Sequence, residues 1–260
     1  MRPLLCKWRA LACVISMASG LNHVEAASSV LIWPLDPVIE ADQKAVALWL
    51  ENKGRETAYM QIRVVGWEQR EFDNHYQTQR EVIGSPPLAR IEPGQKQLIR
   101  LTRTETVPVG VERAYRIIID DIPVVAPKDG SHEVMAAGVN LQMRYTVPLF
   151  VYGEGLRGKP VTKRQRDAAS AGAPDLSWRK VTVQGTPWLQ VQNLGQVHAR
   201  LTQVSMAQGG KRWPVAPGLL GYVLPGAIMR WPLPPGTSTA GQLLARVNNE
   251  PAAQPVASAP

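Results

Sequence analysis

Between Val139 and Val151 every odd position is apolar: Val139, Leu141, Met143, Tyr145, Val147, Leu149 and Val151. The even positions up to 146 are Asn140, Gln142, Arg144 and Thr146. This period of two predicts a strand with one apolar face and one wet face. At about 3.3 Å per residue it would run for roughly 40 Å, about twice the usual strand length. Such a strand outreaches its own sheet, and an apolar unpaired edge is an aggregation hazard unless a partner covers it. The excess length is therefore the first pointer to function.

The rest of the chain reads as short strands divided by turn chemistry. Lys44 to Leu50 is apolar on both faces, as in a central sandwich strand, and Asn52-Lys53-Gly54 ends it. Met60, Ile62 and Val64 alternate before Trp67, Leu98 to Leu101 follows a Pro93-Gly94 turn, and Arg116 to Ile119 runs into Asp120-Asp121-Ile122-Pro123, read as a turn. No helical stripe appears, so residues 27–152 are expected to form an immunoglobulin-like sandwich without its cysteine pair. Residues 153–176, rich in Gly, Lys, Arg and Ala, are expected to be a loop or linker. The strand pattern resumes over 177–249 as a second, smaller β-sandwich, and the Ala/Pro-rich stretch 250–260 is expected to be disordered. No internal repeat is evident.

Composition narrows the function. Met1-Arg2, Lys7 and Arg9, an apolar run to Leu21, and Val24-Glu25-Ala26 match a signal peptide over 1–26. Export is expected, and no later stretch is long and apolar enough for direct membrane insertion. Cys6 and Cys13 both lie in this leader, leaving a mature chain of about 234 residues without thiols. Of 29 basic and 21 acidic side chains the leader takes Arg2, Lys7, Arg9 and Glu25, so 26 and 20 remain, a net of +6. No basic run with interleaved aromatics accompanies that excess, so no nucleic acid partner is expected. His75, His132 and His198 have no metal-ligand spacing, and no metal or other cofactor is expected. Asp120 and Asp121, adjacent on one strand, would point to opposite faces, so no catalytic pair and no enzyme is expected.

One segment is more specific. Ser85-Pro86-Pro87-Leu88-Ala89-Arg90-Ile91-Glu92-Pro93-Gly94-Gln95-Lys96-Gln97-Leu98-Ile99-Arg100-Leu101, with Asn52-Lys53-Gly54, Asp121-Ile122-Pro123 and the long strand, resembles the periplasmic pilus (fimbrial) chaperones of the PapD-like family. Trp188 to Gly195 and Gly218 to Gly226 resemble its archaic (alternate) chaperone-usher branch. The resemblance implies two immunoglobulin-like domains in a boomerang. It also implies capture of strand-deficient pilus subunits by donor-strand complementation and their delivery to an outer-membrane usher. The donor residues would be Val139, Leu141, Met143, Tyr145 and Val147. In the familiar branch an Arg of the first strand and a Lys near the end of the long strand anchor the subunit's terminal carboxylate. Here Pro148 stands where that Lys is expected and Ser28 to Trp33 holds no Arg. Arg144, Arg90 and Arg100 are the substitutes considered, because an Arg fork matches a carboxylate bidentately. Tyr152 falls near the Arg of the family's interdomain ion pair, which leaves that pair in doubt. The competing reading is a secreted adhesive or carbohydrate-binding sandwich presenting Trp213, Tyr222 and Trp231 on a binding face.

Overall fold

The computed structural model describes residues 29–122, 142–156, 172–237 and 240–259. Ten strands of the described residues form the first domain: β1 (Val30–Trp33), β2 (Val38–Ile39), β3 (Ala45–Asn52), β4 (Ala58–Arg70), β5 (Asp73–Gln77), β6 (Val82–Ser85), β7 (Leu88–Ile91), β8 (Lys96–Arg103), β9 (Glu112–Asp121) and β10 (Arg144–Tyr152). Eight form the second: β11 (Leu176–Val183), β12 (Thr186–Asn193), β13 (Ala199–Gln208), β14 (Lys211–Val223), β15 (Ile228–Pro232), β16 (Gln242–Val247), β17 (Gln254–Pro255) and β18 (Ala257–Ser258). The protein is all-β, two immunoglobulin-like sandwiches in sequence.

In the first sandwich a sheet ordered β1-β3-β8-β6 faces one ordered β2-β10-β9-β4-β5, with β7 also paired to β4. Period-two side chains from both sheets meet between them: Leu48, Leu50, Ile99 and Leu101 from one, Met60, Ile62, Ile117, Ile119, Val147 and Leu149 from the other. The second sandwich packs β15-β12-β11-β18 on β14-β13-β16-β17. Its core, built on Leu189, Val191, Leu201, Met206 and Leu243, also takes in Trp67, Phe150 and Tyr152 from the first domain. One sheet of the first domain is thus covered on both faces at the end that meets the second.

Two expectations are corrected. Asp120 and Asp121 are the last residues of β9 rather than a turn, because β10 and β4 pair with them on either side. The stretch 250–260 is not simply a disordered tail. Gln254–Pro255 pairs with β16 and Ala257–Ser258 with β11, Val256 is buried between them, and Trp178 donates its indole N–H to the Val256 carbonyl at 3.1 Å. Among the described residues each of these strands pairs along only one side, and Pro255 sits on a sheet edge, where proline is tolerated.

The two domains also share a device that no sequence repeat announces. Asn52 and Asn193, at the ends of β3 and β12, are both fully buried. The Asn52 amide donates to the carbonyls of Glu56 and Ile91 while its oxygen accepts from the Gly54 N–H. The Asn193 amide donates to Val197 and Val223, and its oxygen accepts from Asp175 and Gly195. Each side chain ties a turn to a distant strand, which a polar group in the core does only when all its bonds are made. Asn52→Ala and Asn193→Ala should each lower the unfolding free energy by about 3 kcal/mol, since buried carbonyls lose their donors. Leu194→Ala, at a site 65% exposed, should shift it by less than about 0.5 kcal/mol. Chemical denaturation of the three variants checks this.

Candidate functional site: an open strand edge beside the domain seam

β10 is an edge strand along most of its length. On one side it pairs with β9 from Arg144↔Asp120 to Tyr152↔Glu112. On the other, β2 reaches only Phe150 and Val151. The Asp121 N–H donates to the Met143 carbonyl at 3.0 Å, so in this antiparallel register the odd residues exchange bonds with β9 and the even residues point their backbone groups outward. Phe150 accordingly donates outward, to the Pro37 carbonyl. The outward N–H and C=O groups of Arg144 and Thr146 and the carbonyl of Pro148 have no strand beside them among the described residues. Pro148, which has no N–H to offer, occupies an edge position where proline is tolerated.

The donor residues divide along this edge. Val139 and Leu141 lie outside the described residues. Met143 is 43% exposed, and Tyr145 is half-buried against the first domain's core. Val147 corrects the expectation. It is 4% exposed and packs inside its own sandwich, because from here on β10 has the opposing sheet beneath it. From Val147 to Tyr152 every residue is buried, the odd ones in the first core and Phe150 and Tyr152 in the core shared with the second domain.

The three candidate arginines do not converge. Arg144 forms an ion pair with Asp120, which also receives Arg63 at 2.7 Å. Arg90, on β7 beyond β4, pairs with Glu92 at 2.6 Å and donates to the Tyr59 hydroxyl at 3.2 Å. Arg100 lies exposed on β8, in the other sheet. Only Arg144 stands on the open edge, at the end away from the second domain. Among the described residues its ion pairs bring together two guanidinium groups and one carboxylate. Partial burial pushes the Asp120 pKa up, but hydrogen bonds and charge from Arg144 and Arg63 outweigh it and hold the carboxyl below the usual aspartate range.

The family's interdomain ion pair was in doubt from the sequence, and the seam instead joins Glu112 to His198 by hydrogen bonds. Glu112, at the start of β9, has a fully buried carboxylate that accepts from the His198 backbone N–H at 3.1 Å and meets its ring Nδ1 at 2.8 Å. The His198 ring stacks on Phe150 with centroids 3.4 Å apart. Tyr222 packs edge-on to Trp67 at 5.5 Å. Sequence reasoning also missed Arg116, which stands directly across from Pro148 in the β9–β10 register. Its guanidinium lies 3.7 Å from the Trp67 ring, its Nε has no hydrogen-bond partner among the described residues, and burial pulls its pKa down. The available signal was the period of two that puts Arg116 and Asp120 on one face of the Arg116-Ile117-Ile118-Ile119-Asp120 run. Trp213 and Trp231 are partly buried against the second core and Tyr222 is buried within it, so these aromatics do not form an open binding face.

A two-sandwich protein with a half-open edge strand in its first domain is the class that this arrangement defines. A family model described as the pili and flagellar-assembly chaperone, PapD N-terminal domain, matches residues 36–157. A chain in the crystal structure of the CsuC–CsuE chaperone–tip adhesion subunit pre-assembly complex, from the archaic chaperone-usher Csu pili of Acinetobacter baumannii, is 33% identical. That match has a TM-score of 0.70 and covers 89% of this chain and 100% of the other. The probable fimbrial chaperone YadV of Escherichia coli (strain K12) is 25% identical over 211 residues, 79% of this chain and 78% of the relative. The chaperone FimB/FhaD of Bordetella pertussis is 22% identical over 200 residues, 75% of each chain. The chain belongs to the PapD-like family of pilus chaperones.

A depressed folded-state pKa means that Asp120 stabilises the fold fully above the ordinary aspartate pKa of about 3.9 and loses that contribution as pH falls through the lower folded-state value. Asp120→Asn should therefore be less stable than the parent at pH 7, and the gap should close below about pH 3. Urea unfolding across that pH range checks the sign.

Proposed function

We propose that the mature chain is a periplasmic chaperone that captures strand-deficient pilus subunits by lending them the edge of β10, and then delivers them to an outer-membrane usher. The observation that carries this reading is the outward-facing backbone of Arg144 and Thr146, free of any neighbouring strand among the described residues. Added strands take their affinity from such main-chain groups and their specificity from alternate side chains, the principle of donor-strand complementation. Met143 and Tyr145 supply the alternate side chains from the described part of the edge, and Val139 and Leu141 continue the same period upstream. Val147 acts instead as the internal fixed point of the register.

Full burial of an apolar side chain is worth about 1.5–3 kcal/mol, so Met143 and Tyr145 with the two upstream residues offer roughly 6–12 kcal/mol before ordering costs. That range supports capture and still permits displacement by a better-fitting strand, so release requires no nucleotide hydrolysis. Arg144 is assigned to the subunit's terminal carboxylate, because its cluster with Arg63 and Asp120 is one acid short of neutrality. Residues 1–26 direct export and are removed after Ala26.

Met143→Asp and Tyr145→Asp should each reduce recovery of a co-expressed pilus subunit in a complex with the tagged chaperone by about tenfold or more. Leu98→Asp, exposed on the other sheet, should leave recovery unchanged. Equal recovery with all three variants overturns the edge assignment. Amidating the C terminus of a subunit-derived peptide should weaken its binding to the parent and leave its binding to Arg144→Gln unaltered.

A further inference from the structure

The β4–β5 turn consists of Glu71 and Phe72, whose φ angles are 53° and 68°. Arg70 pairs with Asp73 across it, so this is a two-residue hairpin turn with both central residues left-handed, the geometry that Asn-Gly fills most readily. A bulky aromatic residue in that region is strained. Phe72 lies outside both hydrophobic cores. Its ring lies 3.5 Å from the guanidinium of Arg230, and its backbone bridges to Met229. Both partners belong to β15 of the second domain.

Three residues earlier, Gln69 reaches the same domain by hydrogen bonds. Its Nε2 donates to the Tyr222 carbonyl at 2.9 Å and its Oε1 accepts from the Leu224 N–H at 2.9 Å. The side chain offers the donor and acceptor that a neighbouring strand would offer. Asn74, on the returning strand, holds it from behind by accepting from Gln69 at 3.0 Å and from the Trp67 indole at 2.8 Å.

We propose that the β4–β5 hairpin is a strut, with Gln69 and Phe72 as positioning residues that fix the angle between the second domain and the sheet carrying β10. The apolar seam around Trp67, Phe150 and Tyr222 joins the domains at the base of this hairpin. The hairpin extends about 10 Å past Trp67, at about 3.3 Å per residue, and a contact at the end of a lever resists rotation better than one beside the pivot. The strain at Phe72 is retained because the ring must reach Arg230. Fixing that angle also fixes the space beside β10, and this last step rests on the proposed capture of subunits at that edge.

The test uses the whole mature chain with spin labels at Ser85→Cys in the first domain and Lys180→Cys in the second, the chain being otherwise free of cysteine. The double variant Glu71→Asn, Phe72→Gly removes the ring while giving the turn its preferred residues. Gln69→Ala removes the bridging amide independently. The strut predicts a broader interdomain distance distribution in both variants, with about a five- to tenfold larger splayed population. The thermal midpoint of the double variant should be unchanged or raised, and Phe72→Tyr should retain the narrow distribution. Unchanged distances in both variants overturn the proposal, as does a lowered midpoint with unchanged distances, which would mark the residues as merely structural. Broadened distances with unchanged recovery of a co-expressed pilus subunit would uphold the strut and separate it from the capture reading.

Discussion

β10 is clamped at one end and bare along the other, and the rest of the molecule is arranged around that asymmetry. From Val147 to Tyr152 the strand is buried on both faces, because the first core lies beneath its odd residues and the second domain covers Phe150 and Tyr152. From Arg144 to Pro148 it has β9 on one side and no strand on the other among the described residues. A strand offered to another molecule must be held by its own protein firmly enough to keep its register, since a slip of one residue would turn every side chain to the wrong face. Val147, Leu149 and Val151, locked into the first core, prevent that slip.

The second domain supplies half of the clamp. Its hydrophobic core takes in Phe150 and Tyr152 and so walls off the end of β10, with His198 flat against Phe150 and its backbone and ring both engaged by the buried Glu112 carboxylate. A carboxylate removed from water survives only when its lone pairs are taken up, and Glu112 has two His198 groups to do so. The consequence is a seam in which charge, hydrogen bonding and ring stacking all depend on one relative placement of the two domains. The edge and the angle beside it are therefore parts of one construction.

Much of this was legible in the period of two. The odd-residue apolar pattern located β10, and Val147, Leu149 and Val151 do face a core. The pattern breaks at Pro148 and Phe150 for a reason invisible along the chain, since the second domain covers the even face there. The strands at Gln254–Pro255 and Ala257–Ser258 were unreadable because Ala and Pro carry no strand signal, and a strand of two residues is set by its neighbours. Asn52 looked like a turn residue and Asn193 like part of a family stretch, and both prove to be buried ties, since local sequence does not report the strand such a side chain is tied to. The arginines fared worst for the same cause. Arg90, Arg100 and Arg144 are all plausible cations, but which strands become neighbours decides that they lie apart, while Arg63 and Arg116 were brought to β10 by β4 and β9.

An open edge is ordinarily a defect, and the composition of this one explains how it is tolerated. Uncontrolled pairing requires a long, flat, apolar template. Here Pro148 removes one donor from the exposed row, and Arg144 and Thr146 point a charged and a hydroxyl side chain to the wet face. These features blunt the edge toward indiscriminate partners without closing it, and under the proposed capture a partner with a carboxylate for the Arg63–Asp120–Arg144 cluster and pockets for Met143 and Tyr145 would recover what a random strand would not. Under that proposal, selectivity would come from the same residues that blunt the free edge, and an edge made wholly apolar would lose both properties together.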